Sequence, residues 1–344
     1  MNIRSWSKIL FSFIIFVAII LTGPVQVHPE NKRLLKIYIV NSYDEGHVCT
    51  DPQNDGFKKV IKAALNENFD IDYSAIYMET NVKNTTPQSM KSISQTAIAE
   101  INKYKPDFIY VTDDNAFSYV GIPMSSKYRV IFSGVNKPIN DYISERPELN
   151  LKNLYGVCEV PNMTAYFKML KKHNVVIDKY YIITDDGSET STYIANEYRN
   201  ILKSMNETPV IIKCETLHQF KKALNELQSK PSGLIMLTAQ RLLNFETGKT
   251  LSKEEIIKEL LKHNNRHLEV SINPLFAKIG LSTCVGPFFS KMGEEAGDIL
   301  IKLVNGKPVT PQVFNTTSVI SMNLNRIHYL GYSKLILTDD IVVY

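Results

Sequence analysis

The chain has 344 residues, of which 44% are hydrophobic and 22% charged, with 15 Gly and 15 Pro. These are ordinary globular values that exclude a disordered chain, a collagen repeat and a coiled coil. The net charge of +4, from 39 Lys+Arg against 35 Asp+Glu spread along the chain, gives no basic run able to track a phosphate backbone, so nucleic acid is not an expected partner.

The chain opens with Arg4 and Lys8, then runs uncharged from Ile9 to Val27. A basic segment ahead of an apolar one is the pattern of a secretory signal. With about 19 uncharged residues it also approaches bilayer-spanning length. Residues 1–27 therefore read as a cleaved signal peptide or an uncleaved anchor. In both cases the basic residues ahead of the run send the rest of the chain outward. The body is expected to be extracytoplasmic, secreted or N-terminally anchored.

Leu34–Asn41 is a short β-branched apolar run and predicts a buried strand. Asp55–Leu65 has helical spacing, with Phe57, Val60, Ile61 and Ala64 on one face. A strand follows over Phe69–Tyr77 and a helix over Pro87–Lys103, where Pro87 falls in the first turn and its missing N–H costs nothing. Phe108–Thr112 predicts a strand, Asn115–Val120 a short helix and Val130–Ser133 a strand. Asn136–Tyr155, with Pro138 and Pro147, reads as a loop-rich stretch leading to a second lobe.

The pattern then restarts. Helices are predicted over Pro161–Lys172, Thr190–Met205, Leu217–Gln228 and Ser252–His263, and strands over Lys179–Thr184, Val210–Cys214, Gly233–Thr238, Val270–Ile272 and Leu281–Val285. Ser252 with Glu255 three residues on is a capping-box pattern. Repeated strand–helix order predicts parallel sheets flanked by helices. One internal echo, IYVTDDNA (Ile109–Ala116) against YIITDDGS (Tyr181–Ser188), suggests two similar α/β lobes.

There is no GxGxxG, P-loop, GxSxG or HExxH motif, so nucleotide, serine-hydrolase and zincin readings lose their usual support. His263 and His267 are four apart, but Asn264-Asn265-Arg266 between them reads as a helix end and no third ligand stands near. No metal and no cofactor are expected. Cys49, Cys158, Cys214 and Cys284 lie far apart and show no zinc spacing; they read as buried or half-buried thiols, with a disulfide open outside the cytoplasm.

In open α/β sheets ligands bind outside the carboxyl ends of the strands. That rule selects Ser42, Tyr43, Tyr77, Glu79, Asp113, Asp114, Asn115, Gly134, Val135 and Asn136 from the first lobe. From the second it selects Asp186, Ser188, Thr238, Ala239, Asn273 and Pro274. Each Asp-Asp pair has two open readings, a grip on a ligand's ammonium group or a helix cap.

Several segments also resemble a known family. They are VNSYDEGHVCTDPQNDGFKKVI (Val40–Ile61), VTDDNAF (Val111–Phe117), VIFSGVN (Val130–Asn136), GVCEVPN (Gly156–Asn162), FFSKMGEEAGDILIKLVNGKPV (Phe288–Val309) and NLNRIHYLGY (Asn323–Tyr332). Their order and spacing, over residues 34–335, are similar to ABC-transporter substrate-binding proteins of the tryptophan/tyrosine-binding type. The sequence departs from that family in lacking a lipid-attachment cysteine, and in having His47-Val48-Cys49 and Pro52 where relatives show an aromatic followed by Thr-Asp.

The resemblance implies a type I periplasmic-binding fold with three interlobe crossings: lobe one over 34–155 and 286–320, lobe two over 156–285 and 321–344. It further implies a non-enzymatic monomer that captures a small-molecule ligand, an amino acid or similar zwitterion, and meets the permease of an ABC transporter. The alternative is a sensor that passes ligand state to a membrane histidine kinase or cyclase. Asp113 or Asp186 would face the ligand's ammonium group. Ser42, Ser188 and N–H groups near Gly134 would take its carboxylate, and Tyr43 and Tyr77 would pack its side chain.

Overall fold

The computed structural model describes residues 32–145, 153–159, 163–315, 317–332, 335 and 341–343. The N-terminal apolar run lies outside them, and among the described residues no helix is long and apolar enough to cross a membrane.

The first half lays down β1 (Arg33–Asn41), α1 (Thr50–Leu65), β2 (Phe69–Tyr77), α2 (Pro87–Tyr104) and β3 (Phe108–Thr112). Next come α3 (Asp113–Ala116), a π-helical turn (Phe117–Gly121), α4 (Ile122–Met124), β4 (Arg129–Val135), α5 (Ile139–Glu145) and β5 (Leu154–Cys158). The second half runs α6 (Met163–Lys172), β6 (Tyr180–Thr184), α7 (Glu189–Ser204), β7 (Val210–Lys213), α8 (Leu217–Leu227) and β8 (Leu234–Leu237). A hairpin of β9 (Leu243–Asn244) and β10 (Lys249–Thr250) precedes α9 (Lys253–His263), β11 (Leu268–Ser271), α10 (Phe276–Ile279) and β12 (Thr283–Pro287). The tail adds α11 (Phe289–Val304), β13 (Gln312–Phe314), β14 (Ser318–Met322), α12 (Leu324–Tyr329) and β15 (Ile341–Val343).

Two sheets result, as the strand–helix alternation predicts. The first has six strands in the order β13-β5-β4-β3-β1-β2, all parallel. The second has seven in the order β15-β14-β12-β11-β8-β6-β7, with β12 and β14 antiparallel. Sheet membership moves the expected boundaries by a few residues. β5 is a strand of the first sheet, so the change of sheet follows Cys158 rather than Gly156. All of β14 pairs in the second sheet, so the last change falls before Ser318, not after residue 320.

Helices cover both faces of the central strands, which is why β1, β3, β4, β6 and β8 read as continuous apolar runs rather than alternating ones. Along β1, Tyr38 and Val40 pack on one side with Ala97 and Ile101 of α2. Ile37 and Ile39 pack on the other with Phe57 and Ile61 of α1 and Met292, Ala296 and Leu300 of α11. In the second sheet, α6 and α7 cover one face through Tyr166, Phe167, Tyr198 and Leu202, and α8 and α9 cover the other through Phe220, Leu224, Ile256 and Leu260.

Local details differ from the sequence reading for identifiable reasons. α1 starts at Thr50, five residues earlier than expected, because Pro52 falls in its first turn, where no N–H partner is lost. The stretch read as loop holds α5, which follows directly on Pro138. Ser252 and Glu255 form the expected capping box on α9, and Thr216 with Gln219 forms a second on α8. Thr216 Oγ1 accepts the Gln219 N–H at 3.2 Å. Thr216→Ala is expected to cost about 1 kcal/mol in a denaturant titration, the usual loss for an N-cap hydroxyl.

Candidate functional site

The strand carboxyl ends of both sheets face one another across a cavity of about 690 Å³. Lobe one supplies Tyr43, Thr80, Asn81, Met90, Asp114 and Asn115, then Ser118, Tyr119, Ile122, Asn136, Lys137 and Tyr142. Lobe two supplies Gly187, Ser188, Thr190 and Tyr193, then Gln240, Arg241 and Lys253. A smaller inner cavity of about 90 Å³ shares Tyr43, Asn136, Thr190, Gln240 and Lys253 with it, and adds Cys49, Asp113, Glu159, Thr238, Ala239 and Asn273.

Each wall is held by the backbone behind it. Asp114 accepts from the Asn136 backbone N–H (3.1 Å), from Asn136 Nδ2 (2.5 Å) and from the Tyr142 hydroxyl (2.8 Å), which ties α3, the end of β4 and α5 together. Asn115 Nδ2 donates to Thr80 Oγ1 at 2.8 Å. In lobe two, buried Asp185 Oδ2 accepts from the Gln240 and Arg241 N–H groups at 2.6 and 3.1 Å, and from the Ser191 hydroxyl at 2.8 Å. One carboxylate thereby sets the loop that brings Gln240 and Arg241 to the cavity. Ser188 caps α7 by accepting the Ser191 N–H.

The inner cavity is acidic on its lobe-one side. Asp113 sits in a left-handed turn (φ 64°) directly after β3. Gln53 Nε2 lies 3.5 Å from both its carboxylate oxygens. Gln53 is held in turn by the Ser133 hydroxyl, which donates to its Oε1 at 2.5 Å, and Ser133 bonds the buried Tyr110 hydroxyl at 2.6 Å. Burial pushes the Asp113 carboxyl up to about 8, and the neighbouring Asp114 adds to the shift. Glu159, on the first crossing, is also pushed up to about 8 by burial and then by Asp113 and Asp114. Lys253 opposes both shifts from across the cleft.

Of the residues the strand-end rule selects, Tyr43, Asp114, Asn115, Asn136 and Ser188 line the main cavity. Asp113, Thr238, Ala239 and Asn273 line the inner one. The other seven line neither, and each is otherwise engaged. Ser42 is buried, donates to the Thr112 carbonyl at 2.6 Å and accepts the Ala116 N–H at 2.8 Å, so its hydroxyl caps α3. Tyr77 ends the edge strand β2, and Glu79 turns the chain at φ 50° and pairs with Lys83. Gly134 (φ 74°) has a space-making role: a Cβ there would lie 2.8 Å from Asp113 Oδ1. Val135 is buried beneath it, and its carbonyl accepts the Glu159 N–H at 2.8 Å. Asp186 is exposed and pairs with Lys213 at 2.9 Å. The Pro274 carbonyl accepts the Ser321 hydroxyl at 2.6 Å.

The two histidines are separately engaged. His263 bonds Asn225 Oδ1 at 3.1 Å, whereas buried His267 bonds the Leu227 carbonyl at 2.8 Å and packs edge-on against Tyr181. All four cysteines are free thiols.

No protein-family model matches the chain, and no curated protein matches it. Solved structures do. CD0873 of Clostridium difficile, described as the ligand-free, open structure of a substrate binding protein with adhesive properties, is 16% identical with a TM-score of 0.67, over 90% of this chain and 99% of its own. This chain has the type I periplasmic-binding-protein fold. An ABC domain in complex with L-Trp from Streptococcus pneumonia is 13% identical with a TM-score of 0.61, over 90% and 99% of the two chains. A periplasmic ribose ABC transporter protein from Conexibacter woesei is 12% identical with a TM-score of 0.55, over 85% and 92%. The fold accounts for the position of the cavity, between the lobes at the carboxyl ends of both sheets.

Proposed function

We propose that the chain is an extracytoplasmic solute-binding protein that captures a small zwitterion of the amino-acid class between its lobes and presents it to the permease of an ABC transporter. It binds its ligand without changing it chemically. Ligand drives closure only through its preference for the closed form, by the hinge motion open to two lobes joined by several crossings.

The observation that best supports this reading is the arrangement of charge around the two connected cavities. Asp113 and Glu159 wall the inner one, Lys253 borders both, and Arg241 and Lys137 face the outer one. A ligand at the neck would set its ammonium group toward the acids and its carboxylate toward Lys253 and Arg241. Its side chain would then reach Met90, Tyr119, Ile122 and Tyr193, aromatic and apolar groups suited to an organic side chain. The neighbours' descriptions mention both L-Trp and ribose. Carboxyl groups on one side and basic groups on the other favour the zwitterion over a neutral sugar.

Calorimetry with the standard L-amino acids and D-ribose tests this. At least one amino acid is expected to bind, and Arg241→Ala or Lys253→Met is expected to weaken it about tenfold to a hundredfold, the loss of one charge-assisted hydrogen bond. The thermal midpoint of either ligand-free variant should stay close to that of the parent. Binding of ribose alone would overturn the ligand class, and a folded protein that binds none of them would overturn the reading.

A further inference from the structure

Resting on that reading, we propose that the inner cavity is an ammonium site that exchanges charge: it takes up a ligand's primary ammonium group and gives up one carboxyl proton. The geometry sets up the exchange. Asp113 and Glu159 are 5% and 9% exposed and come from separate segments, the turn after β3 and the first crossing. Both wall a space of about 90 Å³, which would hold roughly three waters at about 30 Å³ each and so fits an ammonium group on its carbon. Gln53 offers Asp113 only long hydrogen bonds, at 3.5 Å. Among the described residues no side chain donates to the Glu159 carboxyl.

The titratable groups facing this pair are Asp114 beside Asp113, Tyr110 on β3, Tyr43 and Cys49 between β1 and α1, and Lys253 from lobe two. Lys253 lines the cavity without closing an ion pair to either acid. Two buried carboxyls on one cavity, with no cation in contact among the described residues, keep their protons; both are held up to about 8.

An arriving ammonium supplies the missing charge. The O–H bond of one carboxyl breaks, its electron pair stays on the carboxylate that now faces the ammonium, and the proton leaves to water. The second carboxyl stays protonated and donates a hydrogen bond. The charge of the site is unchanged, with one R–NH₃⁺ in and one H⁺ out. Linkage then makes affinity rise about tenfold per pH unit toward pH 8 and level off above it.

The test is calorimetry of each standard L-amino acid in phosphate and in Tris at about pH 7, repeated at about pH 6 and pH 9. The difference between buffers counts protons. The amino acid that binds is expected to release close to one proton at the middle pH and none at the highest, and Asp113→Asn with Glu159→Gln is expected to abolish the release. Asn tolerates the left-handed turn at position 113, so the double variant should fold. The ligand-free protein gives a separate readout. Carboxyls whose folded-state pKa lies above the unfolded one stabilise the fold at low pH and lose that stability as pH rises through about 8. The thermal midpoint should therefore fall from about pH 6 to pH 9 more steeply in the parent than in the double variant. Binding with no proton release overturns the exchange and leaves the proposed function standing. No binding at any pH overturns the function itself, and equal melting profiles overturn the protonated pair.

Discussion

Arg326→Met is expected to destabilise the second lobe by about 3–5 kcal/mol, the cost of stranding a buried charge. Its partner Glu269, on β11, is fully buried. Arg326 Nη2 donates to Glu269 Oε1 at 2.5 Å and to the Asn264 carbonyl at 2.6 Å, and its Nε lies 3.2 Å from the same carboxylate. Asn264 Nδ2 and the Ser282 N–H complete the shell at 2.7 and 3.0 Å. Methionine matches the stem but offers no donor, so the carboxylate would lose its counter-ion with no route to water. Adding Glu269→Gln should recover most of the loss, since the amide can use the remaining partners without a net charge. A denaturant titration reads both effects. A loss below about 1 kcal/mol for Arg326→Met would show that the pair is not desolvated as described. Affinity should fall too, because β11 leads into Ser271 and Asn273 on the inner cavity.

Gly293→Ala is expected to cost about 3 kcal/mol, the upper end of overpacking losses. A Cβ at Gly293 of α11 would lie 2.0 Å from the Gln53 carbonyl oxygen, and one at Gly56 of α1 would lie 2.0 Å from the Ser290 carbonyl oxygen. Each helix therefore approaches the other's backbone where only hydrogen fits, and relief requires the pair to separate. The struck residue, Gln53, also holds Asp113, so ligand affinity should drop with stability. Gly306→Ala is the control: that glycine has φ 64° and open space around it, so only the backbone cost of about 1 kcal/mol applies. Equal losses for the two variants in thermal melts would refute the close helix contact.

Much of the fold is legible in the sequence because both signals it relies on are local. The strands read over Phe69–Tyr77 and Phe108–Thr112 match β2 and β3 to the residue, and apolar spacing marks the long helices. What it misses depends on partners far along the chain. β13 is three residues long and exists because β5 offers it an edge. The strand-end rule brings nine selected residues to the cavities, but it cannot see hydrogen-bond demand inside the fold. Ser42 stands at a strand end as Tyr43 does, yet the first turn of α3 consumes its hydroxyl. Lys253 is overlooked because it follows Ser252 in a capping box that already explains the segment. Glu159 directly follows β5, a strand the sequence reading does not mark, and Tyr142 lies in a stretch read as loop, so the rule selects neither. The one available cue was the charged residue in GVCEVPN, at the point where the chain changes lobe.

The three crossings lie side by side and are stitched to one another. The Asn315 N–H donates to the Cys158 carbonyl at 3.0 Å, and the Phe288 N–H to the Thr317 carbonyl at 3.4 Å. On the proposed function, tethers joined in this way would resist twist and slide and bend together, so that closure would follow a single axis. The tethers also keep each half at a high local concentration for the other. On that reading, shutting would cost little orientational entropy, and the binding energy of a modest guest would suffice to hold the lobes together.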